Sequence, residues 1–97
     1  MFSYKVFQDQ DILLAISDKN LIGKRFEEGE LVLEVLENFY SESDCDESRA
    51  IELIKGATIV NAVGEKIISL MVKEKLIDSS KVIYIDGVPH AQIITIK

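Results

Sequence analysis

Ninety-seven residues carrying a formal charge of −6, with 47% apolar and 29% charged side chains, describe a single globular domain over residues 1–97. No run of about 18 apolar residues occurs, which excludes a membrane-spanning helix, and Met1-Phe2-Ser3-Tyr4-Lys5 lacks a charged-then-apolar leader pattern. One cysteine, Cys45, excludes an intrachain disulfide, so the expectation is a cytoplasmic protein whose modest core leaves room for a homodimer.

In chain order, Tyr4-Lys5-Val6-Phe7 and Ile12-Leu13-Leu14-Ala15-Ile16 are apolar runs separated by polar Gln8-Asp9-Gln10-Asp11, the pattern of a β-hairpin. Ser17-Asp18-Lys19-Asn20 breaks the second strand. Residues 21–26 form a connection of either type, and Glu27-Glu28-Gly29 is a further break. The branched run Glu30-Leu31-Val32-Leu33-Glu34-Val35-Leu36 predicts a third strand, with a helical turn as the alternative, and 38–43 reads as loop.

Asp44 with Glu47 three residues later matches a capping box ahead of a helix over 49–55, which Gly56 ends or bends. Helical spacing then predicts a second, largely apolar helix over 57–75, packed between the sheet and its neighbour. Thr58, Asn61, Glu65 and Ser69 form a polar stripe along it, either a pocket wall or the solvent side of a buried helix.

A final hairpin joins Lys81-Val82-Ile83-Tyr84-Ile85 to Ala91-Gln92-Ile93-Ile94-Thr95-Ile96. With Asp86-Gly87 as a two-residue turn, Ile85 faces Val88, Tyr84 faces Pro89 and Ile83 faces His90. Pro89 then sits at a non-hydrogen-bonded position whose outer flank should be an edge or a bulge. The fold expected is α+β: a single two-layer domain, with a mixed β-sheet of about five strands, the C-terminal hairpin included, covered by two helices.

Charge is distributed unevenly. Between Phe26 and Ser48 stand nine acids and no Lys or Arg, and the rest of the chain holds eight acids against eleven bases. An acidic flank disfavours a phosphate backbone, whose binding rests on Lys and Arg, and suits a basic protein partner or a merely solvated surface.

His90 is the only histidine, and it stands beside the only proline next to a tight turn. Its ordinary pKa near neutrality makes it a candidate general base, with Glu65 or Asp86 fixing its tautomer, so the catalytic candidates are His90 and Glu65. The structural alternative is a half-buried histidine with its nitrogens satisfied. A zinc site needs more His and Cys ligands than one of each. Asp44-Cys45-Asp46-Glu47-Ser48 lacks the later glycine and glutamate of a calcium loop, and Gly23-Lys24 lacks the frame of a phosphate loop. No G-x-S-x-G turn is present, and Cys45 lies among acids that blunt a thiolate. No metal and no cofactor are expected.

Four stretches carry a family likeness: Leu21-Ile22-Gly23-Lys24 with Phe26, Gly29-Glu30-Leu31, Phe39-Tyr40, and Asn61-Ala62-Val63-Gly64-Glu65 followed by Gly87-Val88-Pro89-His90-Ala91-Gln92. Together they resemble the small archaeal proteins of domain-of-unknown-function family 424, over nearly the whole chain. The chain departs from that pattern after Phe39-Tyr40, where Ser41-Glu42-Ser43 replaces the usual glycine and glutamate. The resemblance implies an archaeal cytoplasmic protein, associated with information processing near translation, and supplies no catalytic residue.

The residues where likeness and chemistry coincide are Asn61, Gly64, Glu65, Pro89 and His90, with Gly87 and Gln92 completing the expected binding set. The leading expectation is a non-catalytic binding module for a basic protein of the translation machinery. The alternatives are a small hydrolase or transferase using His90, and single-stranded RNA binding with Phe2, Tyr4 or Tyr84 as stacking faces. Membrane association is not expected, and direct nucleic-acid binding is disfavoured by the net charge.

Overall fold

A computed structural model of the chain describes residues 1–95. Eight strands and three helices follow in the order β1 (Phe2–Gln8), β2 (Ile12–Asp18), β3 (Arg25–Glu28), β4 (Leu31–Glu34), α1 (Glu37–Tyr40), β5 (Ser43–Cys45), α2 (Glu47–Gly56), β6 (Ile59–Val63), α3 (Glu65–Lys73), β7 (Ile83–Ile85) and β8 (Val88–Ile94). Six strands form one sheet in the order β5-β1-β2-β6-β8-β7, and β3 pairs with β4 as a separate hairpin. Only the β2–β6 contact within the large sheet is parallel. The α+β class read from the sequence is the observed one.

Alternation along the strands sends side chains to two cores. Phe2, Leu14, Ile16, Val60, Ala62 and Ala91 face α2 and α3, which contribute Ala50, Ile54, Ile67, Ile68, Leu70 and Met71. Ala15, Val63 and Ile85 face the other way and meet Leu33, Val35 and Tyr40. The β3–β4 hairpin and α1 therefore cover part of the second face, an addition to the two-layer expectation. Each fully buried aliphatic side chain here contributes about 1.5–3 kcal/mol, so these two clusters dominate the stability. Tyr40 is buried deeply enough that its phenol pKa is pushed up to about 12.

Four expectations need correction. The helix over 57–75 is instead β6, a single residue Gly64, and α3. Ile59, Val60 and Val63 are β-branched, Val60 and Val63 are buried on opposite sides of a central strand beside half-buried Ile59, and such a run imitates a buried helix. The stripe of Thr58, Asn61, Glu65 and Ser69 is thus not one face: Thr58 precedes β6 and accepts from the Ile12 N–H through Oγ1 at 3.3 Å, while Asn61 is in the strand.

The capping box is also displaced. Asp44 lies in β5 and pairs with Lys19, whereas Asp46 caps α2 by accepting from the Arg49 N–H at 2.9 Å. The loop expected over 38–43 contains most of α1 and the start of β5. Finally, the polar break around Glu27 and Glu28 is strand β3, with the turn one step later at Gly29, whose φ is 62°. Ile96, assigned from the sequence to the last strand, and Lys97 lie outside the described residues.

Candidate functional site

The two parallel strands β2 and β6 end side by side, Ser17 opposite Val63. In open sheets the space beyond such carboxyl ends is where ligands bind. Here α3 leaves from β6 after one residue, so its first N–H groups turn toward the end of β2. Asp18 fills that position: its Oδ2 accepts from the Lys66 N–H and its Oδ1 from the Ile67 N–H, both at 2.9 Å. A helix N-terminus would draw an external anion. This one is already satisfied by a carboxylate of its own chain, buried to 5% exposure.

Gly64 makes the approach feasible. It has φ 123° and ψ 152°, a region essentially restricted to glycine, and a Cβ there would overlap the Asp18 carboxyl group. Its N–H donates to the Pro89 carbonyl at 3.0 Å. Proline cannot return a hydrogen bond, so the Gly64 carbonyl accepts from the Ile68 N–H instead, at 3.1 Å. The flank of Pro89 is therefore the end of the β6 ladder, rather than an outer edge or bulge.

The hairpin register is Ile85 with Val88, Tyr84 with Pro89 and Ile83 with His90, as the Asp-Gly turn predicts. Asp86 and Gly87 both have positive φ, 52° and 79°, consistent with a type I′ turn. The Asp86 N–H donates to Glu28 Oε1 at 2.8 Å, tying the turn to the β3–β4 hairpin.

Asp18, Asn20, Leu21, Glu65, Lys66 and Pro89, with Gly87 and Val88, line a hollow of about 240 Å³. Five residues singled out from the sequence line this hollow, Leu21, Glu65, Gly87, Val88 and Pro89, and Gly64 adjoins it beside Asp18. The side chains offered at the mouth are the exposed Glu65 carboxylate and Lys66 ammonium. They can orient a polar group by charge.

The other three candidates lie elsewhere. Val63 pairs with His90 and Asn61 with Gln92, and paired residues share a sheet face. His90, Asn61 and Gln92 therefore project on the side of Val63 and Ala15, away from α3, which Glu65 opens. Among the described residues the imidazole makes no hydrogen bond to Glu65, Asn61 or Asp86. It is half-buried, and burial lowers its pKa from the usual value of 6.5. The structure does not bring His90 and Glu65 together as a base and its orienting group.

Among the described residues no cluster of His, Cys, Asp and Glu suits a metal ion. Cys45 is half-buried, and burial, reinforced by Asp46, raises its pKa. Of the three stacking candidates, Phe2 is corrected outright, since it is 1% exposed within the core. Tyr4 packs against the same core, and Tyr84 is 60% exposed. No described helix is long and apolar enough to cross a membrane.

Sequence reasoning missed Asp18. Its role depends on the β2–β6 pairing, and the sequence offers only an acid at the end of an apolar run.

A family model described as "Protein of unknown function (DUF424)" matches residues 7–96. Among solved structures, the chain is similar to an uncharacterised conserved protein from Methanopyrus kandleri, with a TM-score of 0.80 and 23% identity, over 99% of this chain and 94% of that one. At that identity the likeness concerns the fold. No curated protein matches the chain significantly.

Proposed function

The chain belongs to the DUF424 family of proteins of unknown function, and we propose that it acts as a non-catalytic binding module for a basic protein partner. The observation that carries this reading is that all nine carboxylates of segment 27–47 are exposed. Glu27 and Glu34 share Arg25, Asp44 pairs with Lys19, and Glu30, Glu37, Glu42 and Glu47 stand without an ion pair among the described residues. An array of one sign steers an oppositely charged protein at long range and repels nucleic acid. A ribosomal or translation protein, rich in Lys and Arg, is the partner class to look for.

The hydrolase alternative needs the His90 ring within reach of Glu65 or Asp86; Glu65 opens on a different face of the sheet, and among the described residues no hydrogen bond joins the imidazole to either carboxylate. The module reading is tested by pull-down from an archaeal lysate at low and moderate salt. A companion variant carries Glu30→Gln, Glu37→Gln, Glu42→Gln and Glu47→Gln. A basic protein enriched by the native chain, weakened by salt and lost with the variant, is the expected result. Equal capture by both chains, or no enrichment at either salt level, overturns the reading.

A further inference from the structure

Strand β8 is paired on both sides over only part of its length. β7 covers it from Val88 to His90, where Ile83 is the last partner. Beyond that point the chain preceding β7 does not continue the ladder. Residues Ser79–Lys81 coil into a 3-10 turn, and the Lys81 N–H, which would be the next rung opposite Gln92, donates to the Asp78 carbonyl at 2.9 Å.

The direction of the free groups follows from two hydrogen bonds. The Pro89 carbonyl accepts from Gly64 and the Thr95 N–H donates to Thr58 at 2.7 Å, so odd-numbered residues of β8 point their backbone groups toward β6. Even-numbered residues point the other way. The N–H and C=O of Gln92 and Ile94 thus face an unpaired edge. That edge is one wall of a cleft of about 440 Å³, lined also by Leu76, Ile77, Asp78 and Lys81. Ile94 is 66% exposed and Ile83 54%, so apolar surface borders the cleft on the open face of the sheet.

We infer that this cleft takes an extended segment of a basic protein partner, which adds to β8 as a strand in line with β7. The inference rests on the proposed function and names how the partner is held. Two donors and two acceptors alternating along a strand edge are complementary to a peptide backbone. Side chains of the added strand would alternate between Ile83 and Ile94 on one face and Leu76 and Ile77 on the other, which selects alternating apolar residues. Asp78 and Lys81 balance each other at the mouth, so the sign of the partner is set by the β3–β4 hairpin, which packs against β7 and carries Glu27, Glu28, Glu30 and Glu34. That acidic flank draws in a Lys- or Arg-flanked segment, while a second copy at −6 is repelled.

The probe is the capped peptide Lys-Val-Thr-Val-Thr-Val-Lys, with a counterpart carrying Glu at both ends, titrated into the isotopically labelled full chain at low ionic strength. Amide hydrogen exchange is read residue by residue. The expected result is that the basic peptide slows exchange at Gln92 and Ile94 by about tenfold or more, leaves Ala91 and Ile93 unchanged, and outcompetes its acidic counterpart. Gln92→Pro and Ile94→Pro each delete one outward donor without touching the β6 ladder, and should weaken binding while Ala91 and Ile93 stay protected.

Protection elsewhere, with Gln92 and Ile94 unaffected, overturns the cleft while leaving a basic-partner module standing. So does no binding of the basic peptide, since the pull-down judges the module separately. Protection of Gln92 and Ile94 without peptide, accompanied by a doubled mass in solution, replaces the proposal with a self-paired dimer.

Discussion

Asp18 and Gly64 fit each other as lock and clearance: the carboxylate that caps α3 occupies the space in which a Gly64 side chain would begin, with Asp18 Cβ only 2.8 Å from an ideal Cβ on the glycine. The carboxylate cannot swing aside, because both its oxygens are held by α3.

Gly64→Ala is accordingly expected to destabilise the fold by about 2–4 kcal/mol, combining strain at a glycine-only conformation with damage to the cap. Urea denaturation reads the loss. In an Asp18→Ala background the same substitution should cost measurably less, because the steric conflict is gone and the two changes are not additive. Equal costs in both backgrounds would show that only the backbone conformation matters.

Asp18→Asn keeps the size but offers one acceptor oxygen where two N–H groups need one each. It should cost about 1–3 kcal/mol, as expected for a buried donor left unsatisfied. Exchange of the Lys66 and Ile67 amides should rise first, ahead of the strand amides, if the loss is local to the helix start.

Asp44 in β5 and Asp46 at the start of α2 make a direct comparison. Asp46→Ala removes the hydrogen bond to Arg49 and should cost about 1 kcal/mol. Asp44→Ala removes only an exposed ion pair with Lys19, both side chains being at least half exposed, and should change stability by less than about 0.5 kcal/mol. Thermal unfolding of the two variants side by side decides which acid is the cap.

His90 gives the molecule a pH signature in a window no other side chain dominates. Its folded pKa lies below the unfolded value of 6.5 because burial disfavours the charged ring. The unfolded chain therefore binds more protons, and stability falls as pH drops from 6.5 toward the folded pKa. Well above 6.5, where the ring is neutral in both states, this group contributes no pH dependence. His90→Gln should flatten the stability profile between about pH 6.5 and 5, before the carboxylates begin to titrate. An unchanged slope would place the proton uptake elsewhere.

Cys45 should alkylate slowly. Burial and the neighbouring Asp46 raise its pKa, so less thiolate is present near neutrality than in the unfolded chain. Iodoacetamide at pH 7.5 should modify the native protein more slowly than the same protein in urea. Equal rates would contradict the burial.

How far the sequence reached depended on whether its signals were local. The β8 hairpin register was readable because Asp86-Gly87 dictates a tight turn and the pairing follows by counting. The β1–β2 hairpin was equally plain from two apolar runs and a polar joint. β6 was not, because a central strand buried on both faces shows no alternation. Its β-branched Ile59, Val60 and Val63, closed by Gly64, were the discriminating cue.

For the candidate site, the family stretches located Gly64, Glu65, Gly87 and Pro89 at one end of the sheet, while the side-chain chemistry of His90 and Asn61 belonged to another surface. Asp18 was illegible, since its significance arises from strands 48 residues apart from the amides it holds.

Pro89 carries a consequence out of proportion to its single ring. A residue with a hydrogen to give would bid for the Gly64 oxygen and extend the pleated pairing by a rung. The imino acid leaves that oxygen free for Ile68, so the chain can change from strand to helix within one residue. The sharpness of that corner in β6–α3 is thus set from across the sheet, by what its neighbour withholds.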